Sequence, residues 1–295
     1  MVGRSARGYP GVVQSERSQA IRGSPVVVAL TMLISGCSAG GGRPWPDPAT
    51  GPSNVSLSPD RRRVAHEMVN VFEYSSTSAR YDRCDDLGDG RGLTCGKIGF
   101  TTSSTEVRDV VAAYTETATG SPLARHLARL RELAERGSAS TSGLEGFADD
   151  WRHAADDPRF RSVQDAVADR LTYDPALATA RRLGIRTPLG VAIFFDAAVQ
   201  HGTSDDPDGL PALISRTDAK AHGAPAGGVA EKTWLLAFLD VRRADLRNPH
   251  DRNSQEVWAQ SVDRVDALHG LVESGKAGLD PPVTLQVDGE DYTLR

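Results

Sequence analysis

The sequence predicts a mostly α-helical domain that carries a small β-sheet. Two observations lead there. Apolar residues recur at a spacing close to 3.6 in many separate segments, whereas alternating, strand-like runs occur in only two places. In addition, residues 189–200, LGVAIFFDAAVQ, are apolar over enough turns to form a central buried helix, with Thr187 and Pro188 near its start and Asp196 as its single acid. At 295 residues, 39% hydrophobic and 25% charged, the chain can build one substantial core and is neither fibrous nor disordered. Three cysteines are too few for a disulfide-built scaffold. No apolar run reaches the ~20 residues of a membrane-spanning helix.

Residues 25–34, PVVVALTMLI, follow Arg4, Arg7, Arg17 and Arg22, with Glu16 the one opposing charge. That is the pattern of an export signal. Ile34-Ser35-Gly36-Cys37 resembles the bacterial lipoprotein processing box, so residues 1–36 are assigned as a lipoprotein-type signal peptide and Cys37 as the lipidated first residue. A plain secretion signal cut nearby is the alternative. The excised segment carries a surplus of three positive charges, so its loss takes the net charge from -5 to -8. An acidic surface attracts cationic ligands and repels polyanions, which argues against nucleic acid as a partner. Residues 37–56 are rich in Gly, Pro and Ser and read as a flexible tether, which places the folded domain at 57–295.

The domain opens with Ser58-Pro59-Asp60, an N-cap candidate, a first-position proline and a first-turn acid. Val64, Met68, Val71 and Phe72 then form one stripe, and the helix is expected to end near Glu73. Further helices are marked by Val107, Val110, Val111 and Tyr114; by Leu123, Leu127, Leu130 and Leu133; by Val163, Val167 and Leu171; and by Leu235, Phe238 and Leu239. Strands are expected after Gly90 and in the tail VTLQVDGEDYTLR, where Asp288-Gly289 makes a turn. There is no internal repeat and no sign of a second domain.

The densest polar segment runs from Glu73 to Glu106. Glu73 closes an apolar-striped helix, where desolvation disfavours the charged form. Asp89 lies between Gly88 and Gly90 in a stretch too glycine-rich for a helix, where it can stay ionised. One protonated acid and one carboxylate are what glycoside hydrolysis requires. Read as bare sequence, acids beside a glycine turn are usually solvated surface residues.

The spaced set of Glu73, Tyr81, Gly88-Asp89-Gly90-Arg91-Gly92-Leu93-Thr94, Gly96, Ile98-Gly99-Phe100 and Glu106 resembles the signature region of the bacterial chitosanases of glycoside hydrolase family 46. The resemblance continues through Tyr173-Asp174-Pro175, Phe195-Asp196, His201-Gly202, residues 238–242 and residues 279–282, and so covers about 57 to 295. It implies a lysozyme-like, two-lobed α+β fold with a small sheet beside the cleft. It also implies endo-hydrolysis of β-1,4 linkages in chitosan with inversion, in which Glu73 is the general acid, Asp89 the general base and Thr94 orients the attacking water. Inversion asks for carboxyls ~6.5 to 9.5 Å apart, so that water fits between base and sugar. The alternatives are a lysozyme-like hydrolase of another amino-sugar polymer, such as peptidoglycan, and a non-catalytic sugar-binding lipoprotein.

The resemblance further implies a buried ion network. Asp196 and Arg242 match it, Arg242 is expected to link Glu73 to Asp196, and His222 stands where a second arginine is expected. Glu106, and less closely Glu231, match acids that bind the polycationic substrate. Asp85 and Asp86 are near enough to contribute, or are solvated loop acids. Arg91, of the wrong sign for a cation, is placed to fix the catalytic loop by bidentate pairing. Cys84 and Cys95 flank the Asp89 turn and in an exported protein can form a disulfide that braces it, two free thiols being the alternative. The 7 histidines include no metal-binding helix motif, and no phosphate or dinucleotide glycine motif is present, so neither metal nor cofactor is expected. His201 reads as a helix-end or cleft residue, Trp151, Trp234 and Trp258 as packing residues, and the chain as a monomer.

Overall fold

The structure, a computed structural model, describes residues 45–252 and 255–295. The export signal and Cys37 lie outside the described residues. Helix α1 spans Pro59–Tyr74. The Ser58 hydroxyl accepts from Arg61 N–H at 3.4 Å, and Ser75, in the left-handed region at φ 50°, ends the helix with its N–H on Val71 O. Val64, Met68 and Val71 point inward as the stripe requires.

The chain then builds a small lobe. Strands β1 (Cys84–Asp86), β2 (Leu93–Cys95) and β3 (Phe100–Thr101) form an antiparallel sheet in that order. They are followed by α2 (Thr105–Thr117), a 3-10 turn (Pro122–His126), α3 (Leu127–Arg136), α4 (Phe147–Ala154) and α5 (Pro158–Ala168). Phe100, Val107, Val110, Leu130, Phe147, Trp151 and Phe160 share one core. Strand β1 precedes Gly90 and was not expected. Its two outward acids, Asp85 and Asp86, erase the apolar alternation that marks a half-buried strand.

The return to the large lobe is one unbroken rod: α5, a π-helical turn over Asp169–Tyr173, and α6 (Asp174–Arg182). Pro175 has no N–H to give to Leu171 O, and beside it the Asp174 N–H reaches back five residues to Asp169 O. A second core, separate from the first, surrounds α7 (Pro188–His201), in which every residue from Leu189 to His201 is buried. Thr187 caps it, its hydroxyl accepting from Gly190 N–H at 3.1 Å. Phe194 of α7 stacks on Trp234 and Phe238 of α9 (Glu231–Arg247), with ring centroids 5.8 and 5.3 Å apart. Each such buried ring contributes on the order of 1.5–3 kcal/mol. Helices α8 (Leu210–Ala221), α10 (Gln255–Ala259) and α11 (Val262–Glu273) and the hairpin β4 (Val283–Val287) and β5 (Glu290–Leu294) complete the lobe. Asp288 and Gly289, at φ 53° and 80°, make the expected two-residue turn. Among the described residues no helix is long and apolar enough to cross a membrane. The result is the mainly α, lysozyme-like α+β fold, with one core per lobe.

The tether needs correction. Its described part, residues 45–56, is a strap packed on the large lobe. Thr50 bridges to Gly227, Gly51 N–H donates to Ala226 O at 2.7 Å, Ser53 N–H donates to Arg181 O at 2.9 Å, and Ser53 and Val55 are buried. Arg186 adds bonds to the carbonyls of Ala49, Thr50 and Gly51. Pro and Gly preclude a helix there, but an extended strap needs none. The folded body therefore begins before Leu57.

Candidate active site

Glu73 lies one residue from the end of α1, with its side chain 8% exposed. Arg264 of α11 places Nη1 3.0 Å from Glu73 Oε1, an ion pair outside hydrogen-bond alignment. The same guanidinium donates to Asp196 Oδ1 from Nη2 at 2.6 Å and from Nε at 3.2 Å. Arg242 approaches the other Asp196 oxygen at 2.5 Å. Its remaining nitrogens donate to Gln200 Oε1 and, at 3.1 Å, to His201 Nε2. An arginine can only donate, so His201 accepts at Nε2 and carries its proton on Nδ1, facing Asp208 O at 2.9 Å. Burial and then the Arg242 charge hold His201 well below its ordinary value, hence neutral. Burial pushes the Glu73 carboxyl up against the opposing pull of Arg264. Burial would do the same to Asp196, but two guanidinium groups outweigh it and hold that carboxyl down.

This network corrects two expectations. Arg264, not Arg242, joins Glu73 to Asp196, and Arg242 is one step further out. His222 takes no part: it is an exposed residue at φ 58° closing α8. Arg264 had a sequence signal, since with Leu268, Leu271 and Val272 it occupies the buried stripe of α11, where an unpaired charge is costly.

Asp89 sits at the tip of the β1–β2 connection. Partial burial would raise its carboxyl, but Arg91 outweighs this and holds it low. Arg91 donates to Oδ2 from Nε at 2.9 Å and from Nη2 at 2.6 Å, and its backbone N–H donates to Oδ1 at 3.0 Å. Arg91 therefore holds this turn by bidentate pairing with Asp89 itself. Gly92, at φ 76°, must be glycine, because a Cβ would stand 2.3 Å from the Thr102 hydroxyl that anchors Leu93 N–H. Cys84 and Cys95 face each other across β1 and β2 and are disulfide-bonded, closing the base of the same loop.

Thr94 lies on β2, 4% exposed, and its hydroxyl has no hydrogen-bond partner. A buried hydroxyl left without a protein partner costs about 1–3 kcal/mol unless water or a ligand supplies one. Sheet register places Asp85 opposite Thr94 on one face and Asp86 opposite Leu93 on the other. Asp85 is exposed and paired with Arg83 and Arg152, at 3.2 and 3.4 Å. Asp86 accepts from Gly88 N–H at 2.9 Å and shapes the turn.

Glu106 and Glu231, matched by resemblance to substrate-binding acids, are engaged by the backbone. Both are buried, and both accept backbone N–H groups: Glu106 from Thr101 at 3.1 Å, Glu231 from Arg186 at 2.8 Å and Thr187 at 3.1 Å. Burial pushes Glu106 up to about 7 and also raises Glu231. Trp151, Trp234 and Trp258 are buried packing residues, as expected. Among the described residues no group of three or more His, Cys, Asp and Glu could hold a metal ion.

Residues 67–283 match the model of glycosyl hydrolase family 46. A chitosanase of Bacillus subtilis (strain 168) is 41% identical over 229 residues, 78% of this chain and 83% of its own length. A chitosanase of Streptomyces sp. (strain N174) is 36% identical over 241 residues, 80% of this chain and 82% of its own. Among solved structures, the native chitosanase of Bacillus subtilis MY002 superposes with TM-score 0.74 at 39% identity, over 81% of this chain and 100% of that one. A family 46 chitosanase of Gynuella sunshinyii in complex with chitotetraose gives TM-score 0.74 at 37% identity, over 81% and 99%. A helix-borne buried acid, a loop-borne ionised acid and a matching fold over most of the chain converge: the chain belongs to glycosyl hydrolase family 46.

Proposed function

We propose that this chain is an endo-acting, inverting chitosanase in which Glu73 is the general acid and Asp89 the general base. One observation carries the assignment of roles: the two carboxyls are driven in opposite directions, Glu73 up by burial and Asp89 down by Arg91. In that role Glu73, whose protonated form burial favours, delivers a proton to the glycosidic oxygen as the bond to C1 breaks. Asp89, ionised, takes a proton from water, which attacks C1 from the opposite face and inverts it. The Thr94 hydroxyl, free of protein partners, accepts from that water or donates to it and sets its orientation. Asp85, exposed on the Thr94 face and paired with Arg83 and Arg152, would receive a glucosaminium group only by exchanging an arginine for it. Asp86, Glu106 and Glu231 act on the site through the backbone they hold.

Release of reducing ends from deacetylated chitosan, chitin and peptidoglycan tests this. Deacetylated chitosan is expected to be cut internally and rapidly. Glu73→Gln and Asp89→Asn should each lower the rate at least ~100-fold, the usual contribution of a positioned proton-transfer group. Near-wild-type rates in the Glu73 variant, or preference for peptidoglycan, would overturn the assignment.

The localisation proposed is export, with a lipid on Cys37 as the tie to the membrane. The arginine-rich and apolar pattern of residues 1–36 supports it, as does a disulfide suited to an oxidising compartment. Cys37→Ala is expected to release the protein from the membrane fraction or block its maturation. Unchanged fractionation would count against the anchor.

A further inference from the structure

Tyr74 is the last residue of α1 and follows Glu73 directly. Its hydroxyl donates to the carbonyl of Lys97, 2.5 Å away, in the turn joining β2 to β3. Lys97 stands three residues beyond Thr94 and belongs to the small lobe, whereas α1 packs in the large one.

The turn that receives this bond is held from its far side. Lys97 N–H donates to Gln164 Oε1 at 3.1 Å, and the buried Lys97 ammonium lies 2.7 Å from Asp165 on the same helix, α5. Gln164 and Trp151 both donate to Tyr81 O, at 3.0 and 2.9 Å. A Cβ on Gly96 would stand 2.3 Å from Gln164 Oε1, so the turn is already pressed against α5. The Lys97 carbonyl is thus a fixed point of one lobe, and the Tyr74 ring, at the end of a packed helix, is a fixed point of the other.

We propose that Tyr74 is a positioning residue that sets the spacing of the two lobes at the reacting centre, holding Glu73 on α1 against the segment that carries Asp89 and Thr94. This rests on the reading of Glu73 and Asp89 as acid and base. Acid–base hydrolysis needs those two groups at a set separation across a boundary that the chain crosses only through loop 75–83 and the α5–α6 rod. A bond made next to the acid fixes that separation with a short lever. Burial raises the Tyr74 hydroxyl, so it remains a donor wherever the enzyme works. The charges facing it are Glu73 on its own helix and Arg83 and Arg80 on the following loop. Those facing Glu73 are Arg264, Asp196 and Arg242, from α11, α7 and α9.

Tyr74→Phe keeps the ring and removes the bond. The full chain is assayed on the fully deacetylated glucosamine hexamer across pH, beside Tyr114→Phe. That control loses a hydroxyl bonded to Asp157 at 2.9 Å, within the small lobe. In Tyr74→Phe, kcat is expected to fall between about 5- and 50-fold with KM within about twofold, since ~1 Å of misplacement can cost on the order of 100-fold. Its melting temperature should fall by no more than about 4 °C, as for one hydrogen bond in a chain this long. The basic limb of kcat/KM should move to lower pH, because water admitted at Glu73 relieves the burial that raises its carboxyl. Tyr114→Phe should shift the melting temperature alone. An unmoved limb overturns the positioning role, whether kcat stays within twofold of wild type or falls only with the folded fraction. Glu73→Gln and Asp89→Asn run in the same assay separate the two ideas. If they stay active, the acid–base assignment fails and the positioning role with it, whereas failure of the Tyr74 arm alone leaves the assignment standing.

Discussion

Arg264 stands 3.0 Å from the Glu73 carboxylate, on a helix nearly two hundred residues further along the chain. With Asp196 2.6 Å from its other terminal nitrogen, it is the hinge of the buried charge network. Arg264→Met removes the cation that opposes burial at Glu73, so the Glu73 carboxyl rises further and the basic limb of the rate profile moves to higher pH. Stability falls by about 3–5 kcal/mol, as when one partner of a buried ion pair is deleted. Rate profiles and denaturant unfolding check the two halves.

Arg91→Gln acts on the opposite limb. Without the guanidinium, partial burial is no longer outweighed, the Asp89 carboxyl rises, and the acidic limb moves to higher pH. An unmoved acidic limb would show that Asp89 is not the group titrating there.

Several buried carboxyls are raised chiefly by burial: Glu106 to about 7, Asp245 to about 6, and Glu73 and Glu231 in the same direction. Each binds its proton more tightly folded than unfolded. The stability each contributes is therefore full below the ordinary carboxyl value and is lost as pH rises through the folded value. These carboxyls alone make the melting temperature decline from about pH 5 toward pH 8, while His201 and His66, held neutral by burial, cost stability as pH falls below about 6.5. Calorimetry over that range checks it, and Glu106→Gln should flatten the decline.

Glu73→Gln should be inactive yet melt above the wild type at pH 7. The amide keeps an oxygen for Arg264 and avoids ionising a buried acid. The difference should vanish below about pH 4, where the unfolded carboxyl is also protonated.

Cys84→Ser with Cys95→Ser removes a cross-link closing the Asp89 loop. Loss of stability of about 2–4 kcal/mol is expected from the loop-closure argument, with a larger relative fall in kcat than in substrate affinity. Equal unfolding midpoints with and without reductant in the wild type would contradict it.

Much of this protein follows from sequence alone, because helix periodicity, caps and turns are local. Ser58-Pro59, Thr187-Pro188 and Asp288-Gly289 each act where they stand, and the stripes of α1, α2 and α9 face the cores they predict. The Glu73-to-Thr94 motif was legible because its residues lie within one short segment. What only the tertiary structure decided is which distant groups meet. Asp196 could have paired with any buried cation. Long-range packing of α7, α9 and α11 brings Arg264 to Glu73 and leaves Arg242 with Asp196, Gln200 and His201. The same holds for acids: Glu106 and Glu231 look like Asp85 in a string of letters, and only packing buries the first two against backbone N–H groups while leaving Asp85 exposed. Spacing along a chain encodes local geometry, while the dielectric around a carboxyl is set by every element packed against it.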